Sequence, residues 1–240
     1  MIPLEQRKEK VEIIITNIFC IMGRPGSGRT SILKNILSDK EFVEKHKISR
    51  FTYGTTRALK PDDVIGENYF FFSDKEFQEI IKNDSGSIIE SRSYDLINTK
   101  EPNYYFTLKD HIKFGTNYVG RVSLYQYEEL KDWAERTQLR MSTIQINVYP
   151  ILVDCGVFEC FDRLELKLSD EMDLYNLFAR MVSERYEYDQ AVQRSPEIID
   201  ERNINTLILH NTKHNYDLID ELGTKAKEFI TNKLSMQGVV

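Results

Sequence analysis

Gly23-Arg24-Pro25-Gly26-Ser27-Gly28-Arg29-Thr30 is the stretch of sequence that decides how this chain folds. An apolar run at residues 18–22 precedes it, and a helical pattern at residues 31–37 follows it. The three glycines let the backbone curl so that successive N–H groups point inward, and the start of the helix adds the positive end of its dipole. A strand, a glycine-rich turn and a helix in this order predict a phosphate-binding loop.

Arg29 stands where this motif ends in lysine. Lysine carries a compact point charge that follows the phosphates, whereas arginine is bulkier and presents its donors in one plane. The replacement favours nucleotide binding over fast catalysis. The alternative is a plain glycine-rich turn between a strand and a helix, which leaves the clustering of three glycines and a hydroxyl at one helix start unexplained.

Composition restricts the class of protein. The chain has 240 residues with a hydrophobic fraction of 41%, which suits one α/β domain with small inserted lobes. Its net charge of −6 predicts no nucleic-acid partner. Residues 11–22 are largely apolar, but they include Glu12 and Asn17 and are too short to span a bilayer, so we expect no membrane partner. Three cysteines without a Cys-x-x-Cys pair or a secretory segment fit a reducing, cytoplasmic location.

The order of predicted elements indicates the architecture. After the first strand and helix come an aromatic strand at 68–72, a helix that starts with the capping box at 73–76, and alternating strands at 87–94 and 103–108. A strand at 117–124, a helix at 126–137 and a strand at 142–148 follow. A mostly helical region then extends from about 151 to 192, and a strand at 205–209 and a helix at 217–234 end the chain.

This order predicts an α/β, three-layer fold like that of the P-loop NTP hydrolases, with a central parallel sheet. We expect residues 14–49 and 111–240 to form the core, and residues 50–110 to form a small inserted antiparallel lobe. A helical lid is expected at about residues 151–192.

A second group of polar side chains lies in the predicted lobe. Arg57 and Lys60 supply cations, Tyr69 supplies a hydroxyl, and Glu90 and Arg92 follow on an alternating strand. Arginine binds a phosphate through a planar fork of donors, and a carboxylate accepts hydrogen bonds from the N–H groups of a guanine edge. These residue types predict a site for a second, smaller phosphate ester. The alternative is an ordinary charged hairpin surface.

With these residues the chain resembles the guanylate kinase family of nucleoside monophosphate kinases. The resemblance rests on the loop at 23–30, on Thr55-Thr56-Arg57 with the segment 66–71 after it, and on the strand that carries Glu90. It implies a cytoplasmic kinase that transfers the γ-phosphoryl group of ATP to GMP, dGMP or a related nucleotide, with ATP and Mg²⁺ as cofactors. It further implies nucleotide substrates as partners and a monomer or homodimer.

The resemblance also implies roles for individual residues. The glycine-rich loop is the family's Walker A motif, Thr30 would hold Mg²⁺, and Asn211 would lie near the donor adenine. The residues expected at ATP are Gly23, Arg24, Pro25, Gly26, Ser27, Gly28, Arg29, Thr30, Ser31 and Asn211. Those expected at the monophosphate are Arg57, Lys60, Tyr69, Glu90, Arg92, Tyr105 and Thr107. The expected catalytic residues, which neutralise the transferring phosphoryl group, are Arg29, Arg180 and Arg185.

The chain departs from the family pattern beyond Arg29. Lys60 replaces a second phosphate-binding arginine and loses the planar fork, and Phe106 replaces a glycine between Tyr105 and Thr107. The strand at 117–124 offers no aspartate where the family places acidic residues, and if the segment 144–147 is that strand, amides replace the acids. These departures favour the alternative function, a catalytically impaired module on the same scaffold that binds a nucleotide or a protein.

Overall fold

Two β-sheets organise the chain in the computed structural model, which describes residues 12–61, 63–67, 69–94, 102–165, 181–182, 193–211 and 218–237. The described strands are β1 (Ile14–Gly23), β2 (Ile48–Arg50), β3 (Gly54–Thr55), β4 (Phe70–Phe71), β5 (Ile88–Tyr94), β6 (Asn103–Leu108), β7 (Asn117–Arg121), β8 (Ile144–Asp154) and β9 (Leu207–His210). The described α-helices are α1 (Arg29–Ser38), α2 (Lys40–Lys45), α3 (Asp74–Asp84), α4 (Leu124–Arg140), α5 (Val157–Glu165) and α6 (Leu218–Ser235).

The larger sheet has the strand order β2-β7-β1-β8-β9, and all of its strands are parallel. Its central strand β1 is apolar on both faces, because successive side chains of a strand point to opposite sides. Ile18, Cys20 and Met22 belong to the core with α4, whereas Phe19 and Ile21 belong to the core with α1 and α6. Helices therefore cover both faces, which confirms the predicted three-layer α/β fold with a central parallel sheet.

The smaller sheet has the order β4-β3-β6-β5 and is antiparallel at its β3–β6 and β5–β6 pairs, while β3 and β4 run parallel. Its core explains why a phenylalanine is found at position 106. The Phe106 ring fills the space beside Gly54 and stacks on Phe77 of α3, with 4.4 Å between the ring centroids. The predicted capping box starts α3, because the Ser73 and Glu76 side chains each accept a hydrogen bond from the other's backbone N–H.

Several predicted boundaries need correction. Arg50 lies in β2 of the larger sheet, so the lobe boundary predicted at residue 50 falls inside a core strand. The strand predicted at 117–124 ends at Arg121, because Ser123 and Gln126 form a capping box that starts α4 at Leu124. Residues 151–154, predicted as the start of the helical lid, continue β8 between β1 and β9.

Much of the predicted lid, residues 166–180 and 183–192, lies outside the described residues. The division of the chain into core, lobe and lid therefore stays a prediction. Of the helices described, none combines the length and the apolar character that crossing a membrane requires. Cys20, Cys155 and Cys160 are buried free thiols.

Candidate nucleotide site

The predicted phosphate-binding loop leaves β1 and enters α1 through glycines with positive φ. Gly23, Gly26 and Gly28 have φ of 142°, 78° and 100°, a region that side-chain-bearing residues rarely adopt. The Ser27 N–H donates to the Arg24 carbonyl at 3.1 Å and closes the turn. Helix α1 then begins at the end of the loop, so its N-terminus points into the concave side of the turn.

The protein packs tightly against the outside of this loop. A Cβ at Gly26 would collide with the carbonyl oxygen of Cys160 in α5, and one at Gly23 would lie 2.5 Å from the Val153 carbonyl oxygen. A Cβ at Gly28 would lie 2.7 Å from the Asn211 amide nitrogen. The glycines are therefore required by close approach of the backbone as well as by its dihedral angles.

Asn211 and Arg163 hold the loop by hydrogen bonds. The buried Asn211 side chain donates from Nδ2 to the Ser27 carbonyl at 2.7 Å, and its Oδ1 accepts from the Arg163 Nη2 at 3.3 Å. Arg163 also donates from Nη1 to the Gly26 carbonyl at 3.3 Å. The structure thus gives Asn211, predicted near the adenine, a positioning role at the loop. Arg163 is absent from the predicted site residues. Its role is revealed only by contacts with loop residues that are far from it in sequence.

The ATP-side residues differ in exposure. Pro25 and Ser27 are buried, whereas Thr30 and Ser31 are exposed at the start of α1. The Ser27 hydroxyl has no hydrogen-bond partner among the described residues. Arg24 donates from Nη1 to the Cys155 carbonyl at 3.2 Å, so it contacts the segment that leads into α5.

The charges of three guanidinium groups act on the Tyr53 hydroxyl, and Tyr53 is buried between the two sheets. Burial raises the pKa of Tyr53 to about 12, while Arg121, Arg92 and Arg29 are close enough to oppose that rise by favouring the phenolate. The Tyr53 hydroxyl donates to the Arg121 carbonyl, and Arg121 donates from Nη1 to the Thr30 hydroxyl at 3.2 Å. Cations from the phosphate loop, the end of β7 and strand β5 of the smaller sheet therefore all act on this one hydroxyl.

Arg57 lies two residues after β3 of the smaller sheet. Its Nη2 is 2.8 Å from an Asp63 carboxylate oxygen, and its guanidinium lies over the Tyr69 and Phe71 rings at 5.2 and 5.5 Å from their centroids. The Tyr69 ring packs edge-on against Tyr105. The predicted monophosphate residues Arg57, Tyr69 and Tyr105 are thus brought together, and the aromatic rings fix the plane of the guanidinium.

Glu90 lies on β5 of the same sheet, opposite Thr107. The group formed by Arg57, Tyr69, Tyr105, Glu90 and Thr107 is called the lobe pocket below. Its Oε1 accepts from the Thr107 hydroxyl at 2.7 Å and from the Gln126 amide at 2.9 Å, whereas its buried Oε2 has no partner among the described residues. Burial raises the pKa of Glu90. Gln126 was not among the predicted site residues. The capping box that it forms with Ser123 is a local sequence pattern that indicates the start of α4. One carboxylate oxygen is left to accept hydrogen bonds from a ligand.

The remaining predicted residues fall into two groups. Arg92 is paired in register with Tyr105 across β5 and β6, so it lies beside the pocket, while Lys60 is exposed and its backbone N–H donates to Asp63 at 2.7 Å. Arg180 and Arg185 lie outside the described residues.

An unbroken series of contacts joins the loop to the pocket: Thr30 to Arg121, Arg121 to Tyr53, Tyr53 to Tyr69, and Tyr69 to Arg57. The Tyr53 and Tyr69 ring centroids are 5.7 Å apart. Both candidate anion sites therefore lie at one edge of the larger sheet, beyond the carboxyl ends of its strands, where ligands of such sheets bind.

The described side chains around Thr30 do not fit a Mg²⁺ ion, which prefers carboxylates and other oxygen ligands. The Thr30 hydroxyl already accepts from the Arg121 guanidinium, and no cluster of three metal-ligating side chains occurs in the described part of the chain. Asp154 ends β8, but the alternation along that strand places it on the face of Leu152, toward α4, and it contacts His210. The α1 face, where Thr30 lies, carries Arg121 instead.

The segment 144–147 does not replace the missing acids with amides. Asn147 lies at the amino end of β8, where it donates to Asn17, and Asn17 donates to Asn117 of β7 at 2.8 Å. This ladder of amides joins three parallel strands at the edge of the sheet opposite the loop. The residues that flank the loop at the carboxyl ends of β7 and β8 are Arg121 and Asp154.

Comparison with known proteins identifies relatives of this site. Residues 16–113 match the family model described as guanylate kinase. The guanylate kinase of Mesomycoplasma hyopneumoniae (strain 7448) is 35% identical over 104 residues, which cover 43% of this chain and 47% of that protein. The guanylate kinase of Blochmanniella pennsylvanica is 30% identical over 139 residues, or 58% of each chain. The chain thus matches about half the length of these relatives.

A crystal structure of guanylate kinase from Anaplasma phagocytophilum covers 92% of this chain and 87% of its own, with 14% identity and a TM-score of 0.48, a likeness too weak to bear on function. The sequence match is more informative, because residues 16–113 include the phosphate loop, Arg57 and Glu90. Residues 16–113 thus resemble guanylate kinases in sequence, and the similarity is divergent, at 30–35% identity.

Proposed function

We propose that this chain is a nucleoside monophosphate kinase that transfers the γ-phosphoryl group of ATP to GMP or dGMP. The observation that carries the proposal is the series of contacts from Thr30 through Arg121, Tyr53 and Tyr69 to Arg57. A triphosphate in the loop and a monophosphate at Arg57 would then lie on the same side of the larger sheet, joined by this series of side chains. Such proximity is the main requirement for phosphoryl transfer.

The donor site is the loop and the start of α1. Backbone N–H groups and the positive end of the helix dipole would bind the β- and γ-phosphates of ATP. Asn211 and Arg163 fix the loop from behind, so little conformational entropy is lost when the nucleotide binds. Arg29, the first residue of α1, supplies positive charge where the family uses lysine.

The acceptor site combines Arg57, Tyr69 and Glu90. Arg57 and the Tyr69 hydroxyl would bind the phosphate of the acceptor, with Arg57 exchanging the Asp63 carboxylate for the phosphate. The unpartnered Oε2 of Glu90 would accept from the N–H groups on the Watson–Crick edge of guanine. Adenine presents a ring-nitrogen acceptor at the corresponding position, so the carboxylate favours guanine.

Phosphoryl transfer depends on the relative position of donor and acceptor and on neutralising the charge of the phosphates, more than on acid–base catalysis. A nucleoside phosphate oxygen is a sufficient nucleophile, and cations that face the transferring group stabilise the transition state. Arg29 begins α1 and Arg121 bonds to Thr30 at the donor loop, whereas Arg92 lies opposite Tyr105 in the smaller sheet, with the acceptor residues. Arg180 and Arg185 are proposed to complete this set when nucleotides bind.

A coupled assay with ATP and GMP, dGMP, AMP, dTMP or UMP tests the proposal. We expect GMP and dGMP to have kcat/KM at least about a hundredfold above AMP, because a site built to accept guanine N–H groups leaves a buried carboxylate unpaired with adenine. Absence of turnover with every acceptor would remove the kinase function.

The alternative is a catalytically impaired module that binds a nucleotide or a protein. The Arg57–Asp63 ion pair favours it, since a carboxylate already occupies the guanidinium that would bind the acceptor phosphate. Calorimetry separates the two functions. Binding of ATP without binding of any monophosphate would favour the module, whereas binding of both nucleotides favours the kinase.

A further inference from the structure

The position that a divalent cation would need beside the phosphate loop is taken by a side chain of this protein. Arg121 ends β7, in register with Ile21 of β1, two residues before the loop begins. Strand alternation places its side chain on the same face as Val119, the face that packs against α1. Its Nη1 donates to the Thr30 hydroxyl at 3.2 Å, at the first turn of α1.

The backbone of Arg121 is fixed as well as its side chain. The Tyr53 hydroxyl donates to the Arg121 carbonyl, and the Val122 N–H donates to the Ile21 carbonyl at 3.1 Å. Tyr53 is itself buried between the two sheets. The guanidinium therefore projects from an ordered strand end, and its remaining N–H donors lie at the mouth of the loop.

The local charge at this edge opposes a metal ion. Arg50, at the end of the neighbouring strand β2, is close enough to Arg121 for the two cations to repel each other. On the α1 face of β7, the strand ends in a guanidinium where a metal ion would need a carboxylate. The charge that neutralises a bound phosphate is thus already present in the protein.

We propose that Arg121 is a built-in cation that contacts the phosphates of a nucleotide in the loop, so that this chain binds ATP and ADP without a divalent metal ion. The inference rests on the proposed nucleotide site. A planar guanidinium forms directed, charge-assisted hydrogen bonds to phosphate oxygens, which gives it both the charge and the geometry for this role.

Calorimetric titration of the full chain with ATP and ADP, in excess MgCl₂ or in EDTA, tests the inference. We expect the wild-type dissociation constant to differ by less than about threefold between the two conditions, which is below the tenfold change that 1.4 kcal/mol produces. Arg121→Gln should weaken binding in EDTA by about tenfold or more, the usual loss for a hydrogen bond to a charged group. Arg121→Lys should retain part of this affinity.

Arg50→Gln is the matched control, because it removes the same charge from the same edge of the sheet, where Arg50 contacts Glu67 and not Thr30. We expect this variant to bind ATP in EDTA within about threefold of the wild type, because it loses a screened charge but no contact with the loop. Thermal melting of each variant shows whether it is folded. If Arg121→Gln unfolds, the wild-type titrations in MgCl₂ and in EDTA still show whether nucleotide binding needs a divalent ion.

The outcomes separate this inference from the proposed function. Wild-type binding that requires MgCl₂, or unchanged binding of folded Arg121→Gln in EDTA, would overturn the role of Arg121 and leave the nucleotide site intact. No binding of ATP or ADP in either condition would overturn both. Binding that is independent of MgCl₂ and weakened only by the substitutions at Arg121 supports the built-in cation.

Discussion

The phosphate loop and the lobe pocket both offer positive charge and hydrogen-bond donors, but they are built in different ways. The loop is held from outside by side chains far away in sequence, such as Arg163 and Asn211, which bond to its carbonyl groups. The pocket holds its own groups against one another. Arg57 contacts Asp63, and one oxygen of Glu90 is bonded while the other is not.

This difference separates a preformed site from one that must exchange partners. Binding at the loop needs little rearrangement, because its glycine conformations and close backbone contacts are set by the fold. Binding of a phosphate at Arg57 requires the guanidinium to release or share Asp63, whose carboxylate competes for the same donors. Substitutions at the loop should therefore damage fold and binding together, whereas substitutions in the pocket should change binding without a large loss of stability.

The largest effect is expected for Gly26→Ala. The positive φ costs a side-chain-bearing residue about 1–2 kcal/mol, and the new methyl group would collide with the Cys160 carbonyl, so we expect a total destabilisation of about 3 kcal/mol or more. Because α5 must move away from the loop, ATP affinity should fall by about a hundredfold or more. Urea unfolding and calorimetry measure the two effects.

Gly86→Ala is the control for this substitution, since Gly86 is exposed after α3 and a methyl group there meets only ordinary contact with Asp84. It should change the free energy of unfolding by less than about 0.5 kcal/mol. If Gly26→Ala were as mild as Gly86→Ala, the loop would not be held rigidly by α5.

Arg57→Lys should affect the pocket and leave the loop unchanged. The substitution keeps the charge but loses the planar fork of donors and the stacking on Tyr69, so GMP should bind about ten- to thirtyfold more weakly. ATP affinity should remain as in the wild type, and the free energy of unfolding should fall by no more than about 1 kcal/mol. The same change at the exposed Arg140 controls for surface effects. A loss of ATP affinity in Arg57→Lys would show that the two sites are not independent.

Asn211→Asp keeps the shape of the side chain but removes the Nδ2 donor to the Ser27 carbonyl. A carboxylate oxygen would then face a carbonyl oxygen at the present distance of 2.7 Å, so the loop must shift. We expect ATP to bind about tenfold more weakly, with GMP affinity unchanged, when each nucleotide is titrated separately. Asn232→Asp, at an exposed position of α6, should change neither affinity.

Local sequence patterns predicted the central features of the fold. The apolar strand, the glycine turn and the helix after it were readable because each lies within a few residues along the chain. The capping box at Ser73 gave the start of α3 for the same reason. The antiparallel pairing of β5 with β6 followed from their alternating patterns and their proximity in sequence.

Features that depend on contacts between distant segments were missed. Residues 151–153 are apolar and fit either a helix or a buried strand, and their pairing with β1 and β9 decided for the strand. Arg163 lies 137 residues from Gly26, and Arg121 lies 91 residues from Thr30, so no local pattern indicates that they meet. The order of the strands in the sheet therefore decides which acidic and basic side chains reach the site, as much as the loop motif does.

The smallest effect is expected at Glu90. It tests whether this buried carboxylate lowers the stability of the unliganded protein while it strengthens binding of the ligand. Burial raises the pKa of Glu90 above the unfolded value near 4.5. The neutral Glu90 side chain therefore makes its full contribution to the free energy of unfolding at a pH below the unfolded pKa. That contribution is lost as the pH rises through the folded pKa, because Glu90 ionises more easily in the unfolded chain than in the folded one. Glu90→Gln cannot ionise, and its Oε1 can still accept from Thr107 and Gln126.

We therefore expect Glu90→Gln to match the wild type in acid and to become the more stable protein as the pH approaches neutrality, as measured by urea unfolding of the unliganded chain over a pH series. Glu135→Gln, at an exposed position of α4, should show no such trend. The same Glu90→Gln substitution should weaken GMP binding, because an amide offers the guanine edge one acceptor and no charge. A gain in stability that accompanies a loss of affinity is expected where a buried carboxylate is retained for its ligand. A stability difference that is equal at every pH would mean that Glu90 does not titrate differently in the folded chain.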